Sequence, residues 1–388
     1  MSGILHLAWR HAVAHRGRSA LLVACVALAL WVPWTAGALA SQYDGELRSR
    51  AARTPLIVGA PGNRYDLTLA ALYFRPSQLE TVPYRQLERL QDQGRATCIP
   101  LHMRFTARGH PVVATSVEYV EFRGLRPAAG RHALRLGEVS LGAEVAGALG
   151  LAPGDALFSD PTELYDISRP PALKMRVAGV YAPTGTPDDG AVFCDVRTAW
   201  VLEGIAHGHA PAEEIDEELV LSRAEESVAV SGALMEYAEV TPENEASFHY
   251  HGDTSLLPLT AVLAIPGSAK DGTLLRSSVN AAGELQAVTP SEVIDDLLGV
   301  VFRIKGFFDL VGAFLLGTTA LLVSLVFLLS SRLRAAEMRT LDRIGAPGRV
   351  AAGLIGVEVA LVLLIAAALA AGATALTLRW LPDLVSTF

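Results

Sequence analysis

Three stretches of the chain lack the polar positions that a water-facing element needs. Residues 19–40 (SALLVACVALALWVPWTAGALA) hold no charge, residues 306–330 hold one, Asp309, and residues 353–378 hold one, Glu358, each acid near the start of its run. Roughly 20 apolar residues at 1.5 Å per residue cross about 30 Å of hydrocarbon. A buried core helix seldom runs this long without a polar face. The pattern therefore predicts transmembrane helices over 19–40, 306–330 and 353–378.

The first run has a competing reading. Arg10, Arg16 and Arg18 precede an apolar segment ending in Ala-Leu-Ala, as in a cleavable signal peptide. Its apolar run is longer than a typical signal core, however, and Trp31 and Trp34 near its far end suit the membrane–water boundary. A retained helix is favoured. After it, SQYDGELRSRAAR is polar and has no breaker, so the helix is expected to continue outward. Before the second run, Thr289 can cap, Pro290 fits the first helical position and Glu292 stands three after the cap, predicting a helix that runs straight into the membrane. Two such extensions would form a stalk.

Between the first two runs, short apolar β-like segments alternate with Gly and Pro: LIVGA at 56–60, LKMRVAGVYA at 173–182, AVFCDV at 191–196, ELVLS at 218–222 and LTAVLAIPG at 259–267. Residues 138–155 read as a strand, a helix ended at Gly150 and a Pro-Gly turn. The predicted fold class is thus an α-helical membrane protein with three transmembrane helices and a large α+β extracytoplasmic domain, residues 41–305, inserted between helices 1 and 2.

Charge orients this arrangement. Residues 1–40 carry three arginines and no acid, a net of +3. The loop 331–352 carries five arginines against Glu337 and Asp342, again +3, while 41–305 carries 23 Lys and Arg against 35 Asp and Glu, a net of −12. Arginine-rich short segments stay cytoplasmic, which puts residues 1–18 and 331–352 inside the cytoplasmic (inner) membrane and the acidic domain and the tail 379–388 outside. Membrane lipids are expected partners; nucleic acid is not. Of the three cysteines, Cys25 lies in the first run, and Cys98 and Cys194 lie in the external domain, either paired or as buried thiols.

No GxxxxGK[ST] phosphate loop, Gly-x-Ser-x-Gly elbow or HExxH helix occurs, so no catalytic constellation is expected and any ATP would be hydrolysed by a partner chain. The cytoplasmic loop is the most informative segment. Arg334, Glu337, Met338 and Leu341 have helical spacing, the run 344–348 (Ile-Gly-Ala-Pro-Gly) breaks the helix, and a further helix begins near Arg349. A short amphipathic helix there could dock in a groove of a soluble partner; the plainer alternative is a solvated loop.

That loop, residues 337–346 (EMRTLDRIGA) ahead of Glu358, resembles the signature of the MacB/FtsX/LolC-type permease family of ABC transporters. Leu5 to Arg10 with Arg16-Gly17-Arg18 is similar to the family's basic amphipathic N-terminal helix, and 138–155 with 176–180 to its external-domain pattern. The resemblance implies a permease, homodimeric or heterodimeric, bound to two ATPase subunits that use ATP and magnesium, transmitting motion to the external domain and on to a periplasmic adaptor or substrate protein. It implies ATPase contact at Arg334, Glu337, Met338, Leu341, Ile344, Gly345 and Ala346, and places Glu358 at the membrane boundary, where Arg343 or Arg349 could pair with it; the alternative for Glu358 is a snorkelling carboxylate. The family usually has four spans, where three are seen here. A regulator of a periplasmic hydrolase, as in FtsX, is a second reading.

Histidines supply a third. Two His-x-His pairs, His207/His209 and His249/His251, would each present imidazoles on one side of a strand. With Glu213, Glu214, Asp216, Glu217, Glu218 and Asp253 nearby in sequence, they suit zinc or a similar divalent ion, in a metal-sensing or metal-transport-linked protein. A polar loop and an aromatic-rich strand are the alternative.

Overall fold

The computed structural model describes residues 2–75, 79–161, 172–209, 220–224, 227–230, 237–250, 252–333, 343 and 348–385. Contacts group them in two units, 1–47 with 296–388, and 48–295. In chain order the elements are α1 (Ser2–Ala14), α2 (Arg16–Ala52), β1 (Leu56–Gly59), α3 (Arg64–Tyr73), β2 (Val82–Pro83), α4 (Tyr84–Asp92), β3 (Ala96–Ala107), β4 (His110–Thr115), α5 (Val117–Arg123), β5 (Pro127–Gly130) and β6 (Glu138–Leu141). Then follow α6 (Ala143–Leu149), β7 (Ala156–Phe158), β8 (Lys174–Tyr181), β9 (Val192–Asp195), α7 (Val196–Leu202), β10 (Ala206–His207), β11 (Val220–Ala224), β12 (Ser227–Val230), β13 (His249–Tyr250) and β14 (Pro258–Leu259). Last come β15 (Ala261–Pro266), α8 (Ala269–Ala282), β16 (Gln286–Val288), α9 (Pro290–Leu333) and α10 (Gly348–Val385).

Three of these helices, α2, α9 and α10, are long and apolar enough to cross a membrane. Both predicted extensions form: α2 continues from its apolar run to Ala52, and α9 starts at Pro290, well before the run it feeds. Within the helical unit, Leu22 and Val26 of α2, Val323 and Phe327 of α9, and Val362 and Ala366 of α10 make a small apolar core. Gly312 of α9 lies beside Pro33 of α2, where a Cβ would make an ordinary contact 3.5 Å from Pro33 Cγ. Thr35 and Thr374 share a 3.1 Å hydrogen bond between hydroxyls. On the outside, Leu310, Phe314, Leu321 and Leu325 are more than half exposed, a surface suited to lipid rather than water.

The α+β unit is built on a ten-stranded mixed sheet among the described residues, in the order β16-β1-β15-β3-β4-β9-β6-β8-β5, with β7 also on β8. The pairs β4·β9 and β6·β8 are parallel and the rest antiparallel. Strands expected at 56–60, 173–182 and 191–196 form as β1, β8 and β9, and 259–267 divides between β14 and β15. Residues 138–155 give β6 and then α6, closed by Gly150 in the left-handed region (φ 65°) that a side chain would strain. Of the strand expected at 218–222, residues 220–222 open β11 and the remainder lie outside the described residues.

The longest strand, β3, was not legible from pattern. It contains Pro100, His102 and Arg104, which break the apolar run, and proline normally argues against a central strand. Its pairing with β15 and β4 overrides that local signal. The β3–β4 turn uses left-handed backbone at Arg108 (φ 53°) and Gly109 (φ 80°), and both N–H groups donate to the Asp160 carboxylate at 2.8 Å. Cys98 on β3 and Cys194 on β9 are free thiols, not a disulfide. Burial pushes the Cys98 thiol up to about 11 and raises Cys194 further.

Candidate metal centre

β10 and β13 pair antiparallel, with Ala206 opposite Tyr250 and His207 opposite His249. Opposed residues of an antiparallel pair bring their side chains within contact, and the His207 and His249 ring centroids lie 4.9 Å apart. His209, two residues beyond His207, returns to the same side, 5.1 Å from His249 and 6.0 Å from His207. One ring nitrogen from each lies within 4.8 Å of the other two. All three side chains are half-buried.

Core packing holds this arrangement. Phe248 and Tyr250, flanking His249, pack against the domain core, so alternation turns His249 to the other side. Tyr250 meets Trp200 edge-on at 5.9 Å, and Trp200 Nε1 donates to the Pro258 carbonyl at 2.9 Å. Residue 208 must be glycine: a Cβ would lie 2.7 Å from the Phe248 ring. The Ser247 carbonyl can only accept, so the 2.9 Å contact from His249 Nδ1 places the proton there and leaves the lone pair of the neutral ring on Nε2. Sequence reasoning found these histidines, and the structure brings three of the four together. His251, the fourth, and the acids 213–218 lie outside the described residues, and Asp253 accepts from the Ser255 N–H at 2.9 Å.

The other predicted site residues fare differently. Arg334, Glu337, Met338, Leu341, Ile344, Gly345 and Ala346 lie outside the described residues. Arg343 is helical and exposed, and Arg349 stands in the first turn of α10. Glu358 is only 2% exposed: its carboxylate sits among helices rather than snorkelling. Its described partners are ones sequence reasoning did not find, Arg18 of α2, which donates to Oε1, and His11 of α1, whose Nδ1 is 3.3 Å away. Such pairing offsets the large cost of burying a lone carboxylate.

A second buried charge centre was also missed. Arg50, in the last turn of α2, donates through both Nη atoms to the Asp188 carboxylate and through Nε to the Leu72 carbonyl at 2.7 Å. Tyr119 OH donates to Asp188 Oδ1 at 2.7 Å and Thr186 Oγ1 to Oδ2 at 2.7 Å. Burial alone would raise the Asp188 carboxyl; the Arg50 guanidinium and these hydroxyls hold it below the ordinary range. Two residues earlier, Arg48 of α2 pairs with Asp295 of α9. In sequence Arg50 looked like one more charge on a solvated helix tail, and no local signal separates it from Arg48.

No protein-family model matches the chain, and no curated protein does. Among solved structures it is similar to the periplasmic region of MacB from Actinobacillus actinomycetemcomitans, at 9% identity and a TM-score of 0.37, over 63% of this chain and 92% of that one. It is also similar to the extracellular domain of the noncanonic ABC-type transporter YknZ from Gram-positive bacteria, at 12% identity and a TM-score of 0.34, over 61% and 99%. Similarity this distant leaves the functional reading to the chain's own residues.

Proposed function

We propose that the chain is the membrane-embedded, non-catalytic permease subunit of an ABC-type transporter. It couples ATP hydrolysis on a separate ATPase dimer to motion of its extracytoplasmic domain, for export or extraction of a lipoprotein, peptide or small molecule. The observation that carries this reading is the end of α2. A helix with an apolar span at its start finishes with Arg50 locked into the domain core through Asp188, and is tied to α9 by Arg48 and Asp295. The absence of a phosphate loop assigns hydrolysis to a partner, and the likeness of residues 337–346 to the permease-family loop supplies the place where that partner would push. A second permease copy, identical or homologous, completes such an assembly.

Purification of the tagged full chain from its native membranes tests this. The expected result is a co-purifying subunit bearing a phosphate-loop ATPase sequence, lost with Glu337→Lys or Gly345→Trp. An ATPase that stays bound to both variants contradicts the assigned docking loop, and a wild-type chain that purifies with no ATPase contradicts the function.

A further inference from the structure

We propose that His207, His209 and His249 bind one divalent transition-metal ion of the zinc class in the α+β unit. The assignment is independent of the transport reading.

Three features favour a ligand set over a chance grouping. First, the donors converge on one point from two segments. Tetrahedral Zn–N bonds of about 2.0–2.1 Å put imidazole nitrogens roughly 3.3 Å apart. Nitrogens already within 4.8 Å of one another reach that spacing by small side-chain rotations. Second, the support is rigid and specific. The Ser247 carbonyl fixes the His249 tautomer with Nε2 as the ligating atom, the outer-shell hydrogen bond that metal-bound histidines use. Phe248 and Tyr250 anchor the strand from behind, and Gly208 lets the His-Gly-His segment lie against the Phe248 ring. Third, β10 and β13 form a ladder of only two residue pairs, marginal by itself in water. An ion held by residues 207, 209 and 249 would staple together the two segments that flank residues 210–236. Three imidazoles favour zinc, copper or nickel over calcium or magnesium, and leave a fourth position for water or an exogenous ligand.

Calorimetric titration of the chelator-treated full chain in detergent with zinc chloride tests the site. Wild type is expected to bind one equivalent. His207→Ala, His209→Ala and His249→Ala each weaken binding by about tenfold or more, on the scale of lost metal-site contacts. The triple variant loses the site, whereas His110→Ala on β4 changes nothing. Affinity falls on acidification, as protons compete with the ion for the imidazole nitrogens. Zinc raises the melting temperature of wild type and not of the triple variant. Should the alanine variants unfold, cobalt-loaded wild type decides by itself, through the visible d–d bands of a tetrahedral nitrogen-ligated ion. No stoichiometric zinc binding, a triple variant that titrates like wild type, or the absence of those cobalt bands overturns the proposal.

Discussion

In residues 48–295 the large apolar side chains are buried: Leu101 and Ile99 on β3, Leu141 on β6 and Met175 on β8 are shut inside the domain. In residues 1–47 with 296–388 the polarity is reversed, with Phe314, Leu321 and Leu364 at least 70% exposed and a carboxylate, Glu358, buried. The proposed membrane placement accounts for the contrast by two solvent rules. A fold surrounded by water is driven by burial of apolar area. Helices surrounded by hydrocarbon would turn apolar surface outward and be held together by small residues and compensated polar groups. The two buried charge pairs differ in the same way. Arg50 and Asp188 are both nearly inaccessible, whereas Arg18, the partner of Glu358, keeps 26% of its side chain exposed.

Removing Arg50 should produce the largest change. Arg50→Leu strands Asp188 in the domain core, an uncompensated buried charge that costs about 3–5 kcal/mol. Denaturant unfolding of the full chain, followed by circular dichroism, measures it. A loss under 1 kcal/mol would mean that the anchor is not integral to the fold.

Next in size is an arginine on the outward apolar surface. Phe314→Arg, on a side chain 71% exposed, is expected to cost about 2.5–3.5 kcal/mol of membrane insertion near a helix centre. An insertion assay with glycosylation reporters reads it. On a water-facing helix the same change costs within about 0.5 kcal/mol, so a neutral result would erase the contrast between the two units.

Glu358→Gln should cost less, about 1.5–3 kcal/mol for a lost hydrogen bond to a charged group, because Arg18 can reach solvent. Thermal melting in detergent checks it. A loss equal to that of Arg50→Leu would remove the distinction drawn between the two pairs.

Acid acts most gradually. Burial alone would raise the Asp188 and Glu138 carboxyls, but Arg50 and Arg131 hold both below their usual range. Their folded values being depressed, these groups contribute fully above the ordinary carboxylate range near 4, and the contribution drains as pH falls through the lowered values, by at most about 1.4 kcal/mol per pH unit per group. Stability measured from pH 6 to pH 2 should decline below about pH 4 and be flat above it on this account. Arg50→Leu should flatten much of that slope.

How far the sequence could be read also separates the two units. The apolar helices were plain because each carries its whole signal within itself, in a run without charge. In the domain, β1, β8, β9 and the β6–α6 segment were legible, since alternation or an unbroken apolar run coincides with Gly or Pro at the ends. β3 was hidden because its burial is supplied by β15, remote in sequence, and not by its own pattern around Pro100 and His102. The histidine pairs could be picked out by their two-residue spacing. Their meeting could not, since it depends on which strand pairs with which. Arg50 and Arg18 were invisible as partners of buried acids for the same reason: a charge is assigned to core or surface by the tertiary fold, not by its neighbours in sequence.

The proposed function requires a domain outside the membrane that is worked through helices from a loop inside it. Labelling of intact cells with a membrane-impermeant maleimide tests that arrangement directly, using Thr254→Cys, exposed in the domain, and Arg343→Cys, exposed next to α10. The prediction is reaction at position 254 in intact cells and at position 343 only after permeabilisation. Labelling of position 343 in intact cells, or protection of position 254, would contradict it.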